Sequence, residues 1–328
     1  MGTMIEVRQL EMTYRVPVRG EGLGAAVRSL YRREYRAIPA VDGISFGVDA
    51  GEIVGFLGPN GAGKTTTMKM LSGVLRPTGG SVAVAGFEPW QRKQEYLKRI
   101  ALIRGSQPLG GPPELTVMDA LRLQQLVYEI DDGAFRRSLS QLTEMLGLGP
   151  LLDRQLRALS LGERMRCGFA HALVYQPQVL FLDEPTIGMD VAVVEATRAF
   201  IQQYRDTTGA TVLFTSHAMA DVERLCPRVI VIDHGQVRFD GALRALVERW
   251  TPYKVMTASC GGHTRVPWDR FGTVTDQDGA TATLHVARES VPNVARSLLA
   301  EFDVVDMAIA DPPLEEVLGM VFRERVAA

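Results

Sequence analysis

At 328 residues, 46% apolar and 23% charged, the chain has the composition of a soluble globular protein with room for one large domain and a smaller one. A net charge of −2 argues against a general nucleic-acid binder, and no apolar run approaches the roughly 18 residues of a membrane-spanning helix. The start, MGTMIEVRQL, lacks the basic-then-apolar pattern of a secretory signal, and Cys167, Cys226 and Cys260, far apart with no CxxC pair, read as buried thiols in a reducing cytosol.

In chain order, two stretches read as consecutive strands, MIEVRQLEMTY and VDGISFGVDAGEIVGFLG, separated by a connection at 16–40. Hairpin connections usually take about 2–5 residues, so this one is an insertion. It carries five Arg and two Glu, and Gly22 to Tyr35 has Leu23, Ala26, Val27, Leu30, Tyr31 and Tyr35 near helical spacing, which predicts a short basic amphipathic helix. From residue 44 to about 240, EIVGFLG, IALI, QVLFLDE, TVLFTS and RVIVID are apolar on both faces, as in a mostly parallel sheet covered on both sides. Helices are expected at 63–74, at about 191–206 and at 218–225, a doubly wound α/β layout. Between them, residues about 108–175 read as an inserted helical subdomain, with TVMDALRLQQLVYEI and DGAFRRSLSQLTEMLGL apolar at helical spacing. From 246 to 328, strand-like runs (TPYKVMTASC, TRVPWDR, GTVTDQ, GATATLHVA, DVVDMAIA) mix with helical ones (SVPNVARSLLAEF, PPLEEVLGMVFRERV), which predicts a small α+β domain after a main domain at 1–245.

The chemistry concentrates in two motifs. GPNGAGKTT, Gly58 to Thr66, fits G-x-x-x-x-G-K-[ST], follows a strand and opens a helix. Its glycines, Gly58, Gly61 and Gly63, allow close backbone approach, so the N–H groups of the loop, which also holds Pro59, Asn60 and Ala62, and of the helix start can cradle phosphates. Lys64 would meet the β/γ-phosphates, Thr65 would ligate Mg²⁺, and Thr66 continues the motif. VLFLDEP, Val179 to Pro185, ends a strand in two carboxylates, with Asp183 placed to hold Mg²⁺ and Glu184, pointing the other way along the pleat, placed to polarise an attacking water. Read alone, it would be a strand ending in a solvated acidic turn.

The residues between and after these motifs resemble the ATPase subunits of ABC transporters. LSLGERMRCGFAHAL, from Leu159, is similar to the LSGGQ signature and lies 23 residues ahead of Asp183 counted from Ser160. TIGMD, ending at Asp190, resembles the D-loop, and FTSHAMADVERLCPRVIVIDHGQV carries the switch histidine, His217. Gln107, eight residues before the Leu of LTV, matches the Q-loop; the preceding LIRGSQ is longer than usual, which leaves Ser106 as the alternative at that position. The signature departs from the pattern at Leu161 and Glu163, where Gly and Gln are usual, while Ser160 and Gly162, which meet phosphate, are kept. The resemblance covers residues 4 to about 245 and implies a P-loop NTPase of the ABC type: a mixed sheet with helices and an inserted helical subdomain. It implies ATP and Mg²⁺ as ligands, and a homodimer in which Ser160 and Gly162 close on the partner's ATP and Asp190 bridges the subunits. His217 contacts the γ-phosphate and orders Glu184, and Gln107 touches Mg²⁺ and water. Tyr14 occupies the place of an adenine-stacking aromatic, or is a core tyrosine.

Residues 250–328 resemble the small C-terminal extension of ABC-2-type exporter ATPases, here ending PPLEEVLGMVF; dimer contact or regulation is the implied role, against a cover for apolar surface. The expectation is a cytoplasmic ATPase on the inner face of the membrane, coupled to separate permease subunits of an exporter. An importer ATPase shares the chemistry. A soluble ABC ATPase acting on nucleic acid or ribosomes is disfavoured by the single phosphate loop, the scattered cysteines and the neutral charge. For 16–40, five Arg exclude a membrane span, and no nucleic acid is expected. A helix packed on its own domain, a contact with the permease or lipid headgroups, and disorder all stay open.

Overall fold

The computed structural model describes residues 2–17, 35–105, 111–261 and 266–324. It divides into two compact units, Met1–Asp240 and Gly241–Ala328.

The first unit begins with β1 (Thr3–Pro17) and β2 (Tyr35–Asp49), antiparallel partners whose ladder runs from Thr3↔Asp49 out to Pro17↔Tyr35. The two strands therefore continue into the expected insertion. Residues 16–17 and 35–40 are strand, Tyr35 belongs to β2 and not to a helix, and the rest of the expected helix lies outside the described residues. Pro17 and Pro39 hid this extension from a propensity reading. Pro39 lies on β2, an edge strand, and Pro17 is the last residue of β1, beyond the stretch Ile5–Glu11 that also pairs with β4. β3 (Ile53–Leu57) leads through the glycine loop to α1 (Lys64–Leu71), and β4 (Gly79–Val84) returns to complete a three-stranded sheet in the order β2-β1-β4.

β5 (Ile100–Arg104), β6 (Val179–Asp183), β7 (Thr211–Thr215), β8 (Arg228–Asp233) and β9 (Gln236–Ala242) join β3 in a six-stranded sheet, order β5-β6-β7-β3-β8-β9. Its first five strands run parallel. β3 and β7 are buried along their whole length, which explains their unbroken apolar sequence. Met68, Met70 and Leu71 of α1 join one apolar cluster with Ile5 and Ile44 of the small sheet and Phe181 of the large one, so both sheets and the phosphate-loop helix share a core.

Between β5 and β6 lie α2 (Val117–Val127), α3 (Asp132–Leu146) and α4 (Leu161–Leu173), the expected helical subdomain. Each starts at a side-chain cap. Thr116 and Asp119 form a reciprocal capping box, Asp131 accepts from the amides of Gly133 and Ala134, and Ser160 caps α4. α5 (Val191–Thr208) follows β6, and α6 (Met219–Leu225) follows β7.

The second unit holds α7 (Leu243–Trp250), β10 (Tyr253–Cys260), β11 (Thr273–Asp278), β12 (Thr281–Ala287), α8 (Val291–Glu301), β13 (Val304–Ala310) and α9 (Leu314–Arg323). The strands form an antiparallel sheet, order β11-β12-β10-β13, around Met256, Leu284, Leu298, Trp268 and Phe271. The run TRVPWDR, expected as a strand, instead makes a 3₁₀ turn at Trp268–Arg270 in its described part; Pro267 precedes the turn, which buries Trp268 in this core.

Candidate active site

The strand tips of the large sheet, β3, β6 and β7, carry the site. Gly58, Pro59, Asn60, Gly61, Ala62 and Gly63 form the loop from β3 to α1. A Cβ on Gly58 would sit 2.3 Å from the carbonyl oxygen of Ile232, and one on Gly63 2.5 Å from that of Ala40. Gly61 and Gly63 have φ of +83° and +105°, which side chains rarely adopt. At Gly61 nothing lies within 4 Å of the Cβ position, so the loop crest faces open space. No side chain caps α1, and its first amides face the loop as an anion site requires. The turn His234–Gly235 between β8 and β9 props the loop: Gly235 N–H donates to the Ala62 carbonyl at 3.0 Å, and its own carbonyl accepts from Asp42 N–H at 2.8 Å. Both turn residues have positive φ, the two-residue hairpin geometry that favours glycine.

Lys64 is buried, and its Nζ donates to the carbonyls of Gly58 at 2.5 Å and Pro59 at 3.1 Å. Burial lowers the pKa of its ammonium, against the opposing pull of the nearby Glu184 and Asp183 carboxylates. A cation this poorly hydrated is primed to gain from an arriving phosphate. Thr65 is exposed at the helix start and Thr66 half-buried.

Asp183 ends β6, and its Oδ1 accepts from the buried Thr215 hydroxyl at 2.8 Å. An oriented carboxylate and a free threonine hydroxyl are the hard oxygen donors that suit Mg²⁺. Glu184 does not continue the pleat as expected. The strand stops at Asp183, and Glu184 takes φ +53°. Its N–H is drawn to β7, donating to the carbonyl of Thr215 at 3.1 Å and its hydroxyl at 3.2 Å. Such a backbone costs of order 1 kcal/mol for a residue with a Cβ and persists only where neighbours hold it. The result is contact across the tips: His217 Nε2 lies 3.1 Å from Glu184 Oε1. Gly105, at the end of β5, lies against the same turn, and a Cβ there would come within 1.9 Å of the Glu184 carbonyl.

Ser160 caps α4, accepting from Glu163 N–H at 3.3 Å, while Glu163 Oε2 accepts from Ser160 N–H at 2.8 Å. The hydrogen bond from the Ser160 amide is the main reason the Glu163 carboxyl is held below its usual range, and Arg154 at 2.7 Å adds to it. Gly162 packs close to α5, where a Cβ would meet Val193 at 3.1 Å. Asp190 caps α5 through Val193 N–H at 2.9 Å. Tyr14 is half-buried, pairs with Ile38 and packs on the core cluster.

Residues 41–187 match the ABC transporter family profile. The ABC transporter ATP-binding protein NatA of Bacillus subtilis (strain 168) is 33% identical over 218 residues, 66% of this chain and 88% of that protein. The chain belongs to the ABC transporter ATP-binding proteins. The Nod factor export ATP-binding protein I of Burkholderia pseudomallei (strain 1710b) is 38% identical over 210 residues, 63% of this chain and 67% of that protein. A solved ATP-binding subunit of an ABC transporter superposes with a TM-score of 0.61 at 24% identity, over 75% of this chain and 92% of that one, a likeness of fold. Residues 252–310 match the profile of the EvrA-like ABC transporter, C-terminal domain.

This ABC ATPase thus brings Lys64, Asp183, Glu184 and His217 together at one end of its sheet. Ser160, Gly162 and Asp190 sit at the helix starts of α4 and α5, and Gln107 lies outside the described residues. Thr215, Gly105 and Gly235 escaped the sequence reading. The S-x-x-E pattern at Ser160–Glu163 was a readable capping signal, and it gives the unusual Glu163 a structural reason.

Proposed function

We propose that this ATPase drives export of a substrate through separate membrane permease subunits, two copies of the chain closing on two ATP molecules. The Glu184–His217 contact beside the Lys64 loop carries the proposal, because it sets a carboxylate base and an imidazole at one point next to a phosphate cradle. In this reading the loop amides from Gly58 to Thr66 and Lys64 hold the phosphates of ATP. Glu184 orients and polarises the attacking water, and His217 contacts the γ-phosphate and steadies Glu184. Mg²⁺ would be held by Asp183 and Thr65, with Gln107 as a further ligand, and would offset charge on the β/γ-phosphates. Ser160, Gly162 and the amide end of α4 would complete the site of the partner copy, and Asp190 would bridge the two copies near the partner's loop.

Support for a membrane partner comes from α2, which leaves Leu123, Leu126 and Val127 exposed on the helical subdomain. No helix among the described residues is long and apolar enough to cross a membrane, and the proposal gives that step to a permease subunit. That subunit would hold the chain at the inner face of the membrane. The export direction is favoured by a relative whose name states export. Affinity purification of the full chain from its own membranes tests the proposal: a polytopic membrane protein should co-purify and ATP hydrolysis should rise in its presence. Recovery with ribosomes or DNA and with no membrane protein would reject it.

A further inference from the structure

Asp221, on α6, is fully buried, yet it carries a charge that no role above uses. Its two oxygens are saturated. Oδ1 accepts from Arg198 Nε at 2.7 Å and from Nη2 of the same guanidinium, and Oδ2 accepts from the hydroxyls of Thr186 and, at 3.2 Å, Ser216. Arg198 is itself nearly buried and also donates to Glu195 at 2.6 Å. A buried carboxylate survives only with such full pairing. Apolar residues would fill this volume at no greater cost, so the network invites a reason beyond stability.

Its partners have meaningful positions. Thr186 stands two residues after Glu184, with the rigid Pro185 between them. Ser216 immediately precedes His217, and its oxygen also accepts from Ala218 N–H at 3.0 Å, pinning the backbone on the far side of the histidine. Arg198 belongs to α5, the helix that Asp190 caps. One carboxylate therefore ties the stems on which Glu184 and His217 stand. Glu184, His217, Thr186, Ser216, Arg198 and Asp221 line one cleft of about 480 Å³. The strained φ of Glu184 needs external support of this kind.

We propose that Asp221, through Thr186, Ser216 and Arg198, is a positioning residue for ATP hydrolysis that fixes the Glu184–His217 contact. The inference rests on the roles given to Glu184 and His217 under Proposed function. It is distinct from ATP binding, since none of these groups belongs to the Gly58–Thr66 loop.

Steady-state ATP hydrolysis and fluorescent-ATP binding by the full chain test it, with Asp221→Asn and Thr186→Val. Asn keeps the volume and one acceptor but drops the charge that holds Arg198, and Val removes only the Thr186 hydroxyl. Both should lower kcat, Asp221→Asn by about tenfold or more, as expected for a misplaced catalytic group, with ATP affinity within about twofold of wild type. Wild-type kcat in both variants, or affinity and kcat falling together, would overturn the inference. If Asp221→Asn does not fold, Thr186→Val decides, and its wild-type kcat would count against the proposal. His217→Ala, run alongside, separates the two levels: normal turnover there removes the reading of His217 itself, whereas low turnover there with wild-type kcat in the Asp221 and Thr186 variants removes only the positioning role.

Discussion

Gly105→Ala is a small change with a large expected consequence. Gly105 sits just past β5, its N–H donating to the Asp183 carbonyl at 3.1 Å, and its φ is not of the kind that demands glycine. Space makes the demand instead. The added methyl would lie 1.9 Å from the Glu184 carbonyl oxygen and 2.7 Å from Cγ2 of Ile187. The first contact is about 1.5 Å short of ordinary van der Waals separation, and its partner is backbone, which cannot rotate away. Either the β5 end or the Glu184 turn must move. Overpacking of this kind costs roughly 1–3 kcal/mol of stability. A shift of about 1 Å at a catalytic group costs on the order of a hundredfold in rate. ATP turnover of purified Gly105→Ala should therefore fall by about two orders of magnitude, while ATP affinity, set by the Lys64 loop, stays within a few fold. Gly149→Ala is the control, because nothing lies within 4 Å of its Cβ position. Wild-type kcat and an unchanged Tm for Gly105→Ala would refute the claim that this glycine fixes the Glu184 turn.

Asp190 has two jobs that substitutions separate. Asp190→Asn keeps the cap on α5 and should lower turnover at unchanged Tm, whereas Asp190→Ala should also lose about 1 kcal/mol of stability in denaturant titration. Replacing residues 18–34 by Asn-Gly should leave ATP binding intact, because Pro17 and Tyr35 are already ladder partners that a two-residue turn can join; permease assembly should weaken if the insertion docks there. All three cysteines are buried, and burial raises the Cys167 thiol from an ordinary 9.0 to about 11. Its folded pKa lies above its unfolded one, so the stability it contributes is complete below pH 9.0 and drains away as pH rises toward 11. Thiol reagents at pH 8 should be nearly inert on the native protein and react with three groups after unfolding.

The large sheet was legible because its strands are buried on both faces and read as unbroken apolar runs. β4, GGSVAV, was not, since two glycines and an edge position erase any period. The continuation of β1 and β2 past residue 15 was hidden by Pro17, Pro39 and a ladder exposed from Arg15 to Pro17 and from Tyr35 to Pro39, which shows no buried face. At the site, Lys64, Asp183 and His217 could be named because motif order and spacing carry them. Thr215, Gly105 and Asp221 could not, because they act through contacts between strand tips that chain order does not reveal. The left-handed turn at Glu184 defeated the period-2 rule for the same reason: its N–H follows β7, a partner supplied by topology.

Glu184→Gln tests the central claim most directly. The amide keeps the shape and the contact with His217 but cannot serve as a base. With ATP and Mg²⁺, the purified variant should bind nucleotide normally, hydrolyse almost none of it, and shift to a dimer by light scattering that disperses when ATP is removed. Turnover at the wild-type rate, with no ATP-dependent dimer, would contradict the account.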